Sequence, residues 1–304
     1  MPIVHIVTPP DFRFWPTVVG HGWCDLPPYR CDEPARLLER IFQFEDGRVA
    51  RLILRATDFR PGSLPVHVEG IDRLTPAQED SIRRALSRGL EIDRDLSGFY
   101  ALVREYPRYA WIAELGTGRL LASPTVWEDL AKTLLTTNTT WKLTIQMVTR
   151  LNALGDPYPD GGHAFPSPSR IAALTVAELD QAVRAGYRSA YLHLLAERIA
   201  SGEIEVESWR DADLPSEEVY QRIKGLKGFG DYAAGNMLRL LGHFDRLATD
   251  SECRVVFREI NGGVDGDDRA IRAYYEPFGQ WRGLVQWMDV MRSYFVNGGY
   301  TGEG

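Results

Sequence analysis

Residues 226–250, LKGFGDYAAGNMLRLLGHFDRLATD, constrain the fold more than any other stretch of this chain. In Leu226-Lys227-Gly228-Phe229-Gly230 two glycines flank one apolar residue, so the backbone can turn tightly and leave N–H groups bare. The run from Asp231 to Leu241 is rich in Ala, Leu and Met and predicts a helix. Upstream, Ser216 followed by Glu217 and Glu218 reads as the capped, acidic start of another helix reaching about Lys224. The local pattern is helix, glycine hairpin, helix. Bare N–H groups beside a helix N-terminus suit a phosphate, and such a grip holds a nucleic-acid backbone without reading sequence.

The rest of the chain bounds what this hairpin can belong to. Its 304 residues allow one large or two ordinary domains, and 44% hydrophobic with 25% charged residues is the balance of a soluble globular protein. No apolar run approaches the roughly 18 residues of a membrane helix. The N-terminus MPIVHIVTPPDFRFWP lacks the basic and apolar segments of a signal peptide. Cys24, Cys31 and Cys253 form an odd, sparse set without metal-ligand spacing, so reduced thiols and a cytoplasmic location (nuclear in a eukaryote) are expected. A net charge of −7 argues against coating nucleic acid by bulk attraction. Around the hairpin, Arg222, Lys224, Lys227, Arg239 and Arg246 outnumber Glu217, Glu218, Asp231 and Asp245 only five to four. Binding is therefore expected to rest on a few placed contacts with moderate salt sensitivity.

Residues 1–115 carry short strand-like runs at 49–55 and 66–70, prolines at 9–10, 27–28 and 61, and a helical apolar spacing at Ile82, Leu86 and Leu90. They predict a β-rich N-terminal domain built on an antiparallel sheet. From Gly116-Thr117-Gly118 onward, residues 116–304 predict an all-helical domain, broken by the Pro/Gly loop 156–168. The fold class is α+β, mainly α.

The hairpin, its second helix and Asp250, 18 positions beyond Tyr232, together resemble the motif of the HhH-GPD DNA glycosylase superfamily. The loop before the aspartate, Gly242-His243-Phe244-Asp245, lacks that family's proline. Leu134-Leu135-Thr136-Thr137-Asn138 resembles the helix end and DNA-wedging loop of 8-oxoguanine glycosylases and endonuclease III. Phe165-Pro166-Ser167-Pro168 and Gly186-Tyr187-Arg188-Ser189-Ala190-Tyr191 resemble signatures of the 8-oxoguanine and 3-methyladenine II branches. Ile271–Tyr275 and Phe278–Arg282 resemble the last helices of the 3-methyladenine II branch, so the resemblance spans most of residues 120–300.

The resemblance implies a base-excision-repair enzyme acting as a monomer on double-stranded DNA that contains a damaged base. Asp250 would be its catalytic carboxylate, stabilising positive charge on the sugar as the N-glycosidic bond breaks. Thr249-Asp250-Ser251 also reads as a helix N-cap, and the two roles can coexist. Tyr232 stands where bifunctional relatives carry a Schiff-base lysine, which implies a monofunctional enzyme for a damaged, alkylated purine. Tyr232 lines the pocket or packs within its helix. Tyr187, Trp281 and Trp287 are further pocket candidates. Asn138 would plug the gap left by a flipped base or cap its helix, and Trp141 nearby would stack on a base or, the favoured reading, pack in the core. Gly228, Gly230, Lys227 and Tyr232 would contact DNA. Glu252 replaces a phosphate-contacting histidine of some relatives. Main-chain carbonyls of Lys224, Leu226 and Phe229 would hold a structural sodium or potassium ion. No cofactor is required, and the three cysteines exclude the four-cysteine iron–sulfur cluster of endonuclease III relatives. The alternatives are an oxidised-base enzyme of the 8-oxoguanine type and a non-catalytic DNA-damage-binding protein.

Overall fold

A computed structural model describes residues 1–210 and 214–298. These residues form two compact units. Met1–Asp93 and Arg119–Trp209 make the first; Arg94–Gly118 and the described residues from Arg210 onward make the second.

In the first unit β1 (Ile3–Val7), β2 (Tyr29–Asp32), β3 (Leu37–Gln43), β4 (Val49–Arg55) and β5 (Ser63–Glu69) form one antiparallel sheet in the order β1-β5-β4-β3-β2. Leu52 pairs with Val68 and Leu38 with Leu54, which lines up buried side chains across neighbouring strands. β5 alternates strictly, with Leu64, Val66 and Val68 inside. The two runs legible in the sequence are β4 and most of β5. The other strands carry weaker signals: β1 is a five-residue edge, and β2, at the opposite edge, buries only Tyr29.

The helix Pro76–Gly89 begins in a capping box, the Thr75 and Gln78 side chains each accepting the other's backbone N–H, and turns Ile82, Ala85 and Leu86 inward. The helix Val126–Thr136 is almost wholly buried and takes three charged side chains with it. Arg40 of β3 donates to both carboxylate oxygens of Glu128, at 3.0 and 2.5 Å, and Lys132 donates to the same carboxylate at 2.8 Å. Burial alone would raise the Glu128 pKa; the two cations outweigh it and hold the carboxyl down at about 2. Asp129 is satisfied by Trp23 Nε1 at 2.7 Å and the Ser123 N–H at 2.8 Å.

The second unit is helical: Ser97–Arg104 and Ala110–Leu115 pack with Ser216–Lys224, Asp231–Leu241, Ser251–Ile260, Asp268–Tyr275 and Arg282–Arg292. Buried Asp289 ties early to late segments, accepting from Tyr109 at 2.8 Å, Tyr275 at 3.0 Å and Arg108 at 3.2 Å. The chain is α+β and mainly helical. No described helix is long and apolar enough to cross a membrane.

Candidate functional site

The hairpin at 226–230 sits between the helices Ser216–Lys224 and Asp231–Leu241, as its glycines predict. Gly228 has φ +92°, a backbone conformation that favours glycine. Gly230 differs: with φ −85° it is the N-cap of the second helix, and a Cβ there would touch nothing within 4 Å. Its value is bareness, which leaves the helix N-terminus open to approach. Leu226 and Phe229 are buried and anchor the turn, while Lys227 is exposed. Lys224 Nζ and the Tyr220 hydroxyl both donate to Asp231, at 2.5 and 2.7 Å, linking the two helices across the hairpin. The Leu226 carbonyl accepts the Phe229 N–H at 3.2 Å, closing the turn. Among the described residues no group of three or more His, Cys, Asp or Glu side chains could hold a metal.

Between the second helix and Asp250 the loop is fixed at several points. Gly242, at φ +88°, ends the helix with Gly242 and His243 N–H groups bonded to the Arg239 and Leu238 carbonyls. Arg94 donates to the Leu241 carbonyl at 3.2 Å, placing a cation at the helix C-terminus. The Gly283 N–H bonds to the Phe244 carbonyl at 2.7 Å, so close that a Cβ on Gly283 would lie 2.0 Å from the Arg246 carbonyl oxygen. The Ser216 hydroxyl donates to Asp245 at 2.5 Å. Gln286, 1% exposed, accepts the Ala248 N–H at 2.9 Å and donates to the Thr249 hydroxyl at 3.1 Å.

Asp250 emerges half-buried from this loop and caps Ser251–Ile260, its Oδ1 accepting the Cys253 N–H at 2.8 Å. The capping reading of the sequence is therefore realised. Loss of water around Glu252, and then the charge of Asp250, raise the Glu252 pKa.

On the face of Asp231–Leu241 that carries Tyr232, the residue two turns on is Arg239, which is 2% exposed. Among the described residues none of its three guanidinium nitrogens has a hydrogen-bond partner; the group lies 4.7 Å from the centroid of the Trp287 ring. Burial depresses its pKa, opposed by the fields of Cys253, Tyr232 and Asp250. Tyr232 is half-buried and lines a cavity of about 460 Å³ with Thr249, the neighbour of Asp250. Trp281 packs elsewhere, stacked on Phe244 with centroids 5.6 Å apart and beside Phe99 at 5.4 Å.

The architecture around this loop is shared with known enzymes. The 3-methyladenine DNA glycosylase from Archaeoglobus fulgidus has a TM-score of 0.72 at 16% identity, covering 97% of this chain and 99% of that one. The Clostridium acetobutylicum 8-oxoguanine glycosylase/lyase gives 0.71 at 17% identity in its apo-form, over 95% and 96%. In complex with dsDNA containing cytosine opposite 8-oxoG it gives 0.70 at 17%, over 94% and 93%. The chain has the HhH-GPD DNA glycosylase fold. No protein-family model matches it, and no curated protein matches its sequence. The likeness is one of backbone, and side-chain roles must be argued from this chain.

Within that fold, Asn138 and Tyr187 come together in the first unit. Asn138, at φ +47°, follows the helix ending at Thr136 and is exposed. Its Nδ2 lies 3.4 Å from the Tyr187 hydroxyl. Arg188 is buried and donates to the Thr137 and Asn138 carbonyls, the latter at 2.9 Å, while its guanidinium stacks on Tyr187 at 4.6 Å. The tripeptide Gly186-Tyr187-Arg188 thus holds the Asn138 loop. Trp141 corrects the expectation of a core residue: it is 40% exposed, lies against Gly22 and donates to Asp25 at 3.1 Å. The sequence places Arg188 only within a signature and counts Arg239 on the basic face around the hairpin, whereas Arg239 is buried; it does not single out Gln286. The available signal for the last two was a lone polar residue inside an apolar helical run, Met237–Leu241 and Leu284–Met288.

Proposed function

We propose that this protein is a DNA N-glycosylase that hydrolyses the bond between a damaged purine and its deoxyribose in double-stranded DNA. The observation that carries the reading is Asp250, held half-buried on a pinned loop directly after a helix-hairpin-helix. The hairpin grips the phosphate backbone through N–H groups left bare at Gly230. Asp250 then stabilises the oxocarbenium-like sugar electrostatically and orients the attacking water. Using Oδ1 as a helix cap restrains the carboxylate rather than disabling it. Asn138 fills the space of the extruded base.

Tyr232 offers no amine for an imine, so the enzyme releases the base without cutting the strand. An alkylated purine is the first substrate class, in keeping with the Archaeoglobus 3-methyladenine enzyme. The similar likeness to the Clostridium 8-oxoguanine enzyme favours an oxidised purine as the second reading. A sodium or potassium ion on the carbonyls of Lys224, Leu226 and Phe229 completes the hairpin, hard oxygen donors suiting such an ion.

Base release from duplexes bearing alkylated, oxidised or deaminated bases tests this reading. Wild type should release at least one class and leave an intact strand with an abasic site. Asp250→Asn should lose about 100-fold or more in rate, with DNA affinity kept or improved because a charge facing phosphate is removed. Borohydride should trap no protein–DNA adduct. Silence of the wild type on every lesion, or full turnover by Asp250→Asn, would overturn the assignment.

A further inference from the structure

The cavity beside Tyr232 and Thr249 is also lined by Arg246, Arg254, Arg272 and Arg282. Three carboxylates share the lining, and each is already engaged: Asp231 by Lys224 and Tyr220, Asp245 by Ser216, and Asp268 by Arg254. Among the arginines, Arg246 pairs with Glu217 and Arg282 with Glu276 at 2.7 Å. Each keeps a buried Nε without a partner. Arg272 donates Nε to the Asp268 main-chain oxygen at 3.1 Å and, among the described residues, meets the Asp268 carboxylate through its field rather than as a close ion pair.

Backbone geometry, not an anion, brings Arg246 and Arg282 to this cavity. The Gly283 contacts with the Phe244 and Arg246 carbonyls press the start of the helix Arg282–Arg292 onto the loop before Asp250. Burial, and then the charge of Arg282, depress the Arg246 pKa, the mark of two cations sharing a space without a common counterion. A guanidinium fork matches phosphate oxygens in its plane, and charge-assisted bonds of this kind are about twice as strong as neutral ones.

We propose that this cavity is a phosphate-binding site in which Arg272, Arg246 and Arg282 take the oxygens of one phosphate group. Naming the DNA backbone as its source rests on the glycosylase reading. The cavity is lined by Tyr232, two residues past the hairpin, and by Thr249, one residue before Asp250, so a phosphate there holds the strand between grip and catalytic carboxylate. In a chain of net charge −7 such a local cluster carries a large share of the affinity.

The test uses the full chain and an undamaged duplex, with affinity measured by fluorescence anisotropy across a salt series. Arg272→Gln and Arg282→Gln should each weaken binding about tenfold, roughly one charge-assisted contact, and lower the slope of log affinity against log salt by about 1. Asp268→Asn should tighten binding, which loss of folding cannot imitate. In a second arm, inorganic phosphate should raise the Tm of wild type at constant ionic strength and not that of Arg272→Gln. A phosphate response with unchanged duplex binding would keep the site and overturn DNA as its source. No change in either arm would overturn the site itself. Neither arm depends on base excision, so failure of the glycosylase reading is scored separately by the lesion panel.

Discussion

Replacing Gln286 with Met separates the support of the loop before Asp250 from the carboxylate it presents. Met keeps the length, volume and helix propensity of Gln but can neither accept from Ala248 nor donate to Thr249. The Ala248 N–H is then left without its partner in a buried setting, at about 1–3 kcal/mol, and the Thr249 hydroxyl loses a bond of about 0.5–1.5 kcal/mol. The sum, about 1.5–4.5 kcal/mol, is smaller than the stability of an ordinary domain, so the variant should fold. Ala248 is two residues from Asp250, and a misplacement of about 1 Å at a catalytic group can cost about 100-fold. Urea denaturation should report the lost stability. Single-turnover base release, at a temperature where both proteins are fully folded, should fall about 10- to 100-fold with DNA affinity near wild type, because the hairpin is untouched. A variant that loses the stability yet keeps the wild-type single-turnover rate would refute the view that Gln286 sets the position of Asp250.

The two hairpin glycines should behave differently. Gly228→Ala forces a side chain into the left-handed region and should cost about 1–2 kcal/mol of stability along with DNA affinity, whereas Gly230→Ala should fold normally and still weaken binding to all duplexes alike. Equal thermal shifts for the two would contradict this division. Glu128→Gln should destabilise by about 3–5 kcal/mol, since Arg40 and Lys132 would remain buried without their anion. Because the folded Glu128 pKa lies at about 2, below its ordinary 4.5, its contribution is present above pH 4.5 and lost as pH falls towards 2. An acid titration followed by circular dichroism should show that part of the transition missing in Glu128→Gln. Arg188→Met should free the Thr137 and Asn138 carbonyls and slow excision from duplex more than from single-stranded substrate, where no stack needs plugging; equal slowing on both would contradict it.

The hairpin and its helices were legible because their signals are local: two glycines, an acidic first turn, and an Ala/Leu/Met run each fix backbone geometry within a few residues. The same holds for the helix Asp250 opens and the Asn261-Gly262-Gly263 stop, where the Gly263 N–H returns to the Arg258 carbonyl at 2.8 Å. Strands at the sheet edge were not legible, because β2 has one inward residue and its pairing with β3 is decided by a partner elsewhere in the chain. Nor did the sequence reveal that Arg40, Glu128 and Lys132 would be buried together. Glu128 and Lys132 are four apart and read as an ordinary exposed pair; only Arg40, 88 positions away, makes their burial tolerable. In the sequence Tyr187 is a pocket candidate within the 186–191 signature. Its structural context, a base for Arg188 and a neighbour of Asn138, depends on bringing together residues about fifty apart in sequence.

Arg239 shows where local rules give way. An arginine in the run Met237–Leu241 has good helix propensity, and nothing in its neighbours warns that its guanidinium will be buried without a hydrogen bond. A ring face offers about 2 kcal/mol to a desolvated cation, less than the several kcal/mol that removing the charge from water costs, so the Trp287 contact cannot account for the burial. The fields of Cys253, Tyr232 and Asp250, in that order, oppose the burial without outweighing it, so the Arg239 pKa stays lowered. Asp250 acts on Arg239 through space rather than through a bond, as the smallest of those three fields. The carboxylate that caps the helix Ser251–Ile260 therefore also acts on a buried cation of the helix carrying Tyr232.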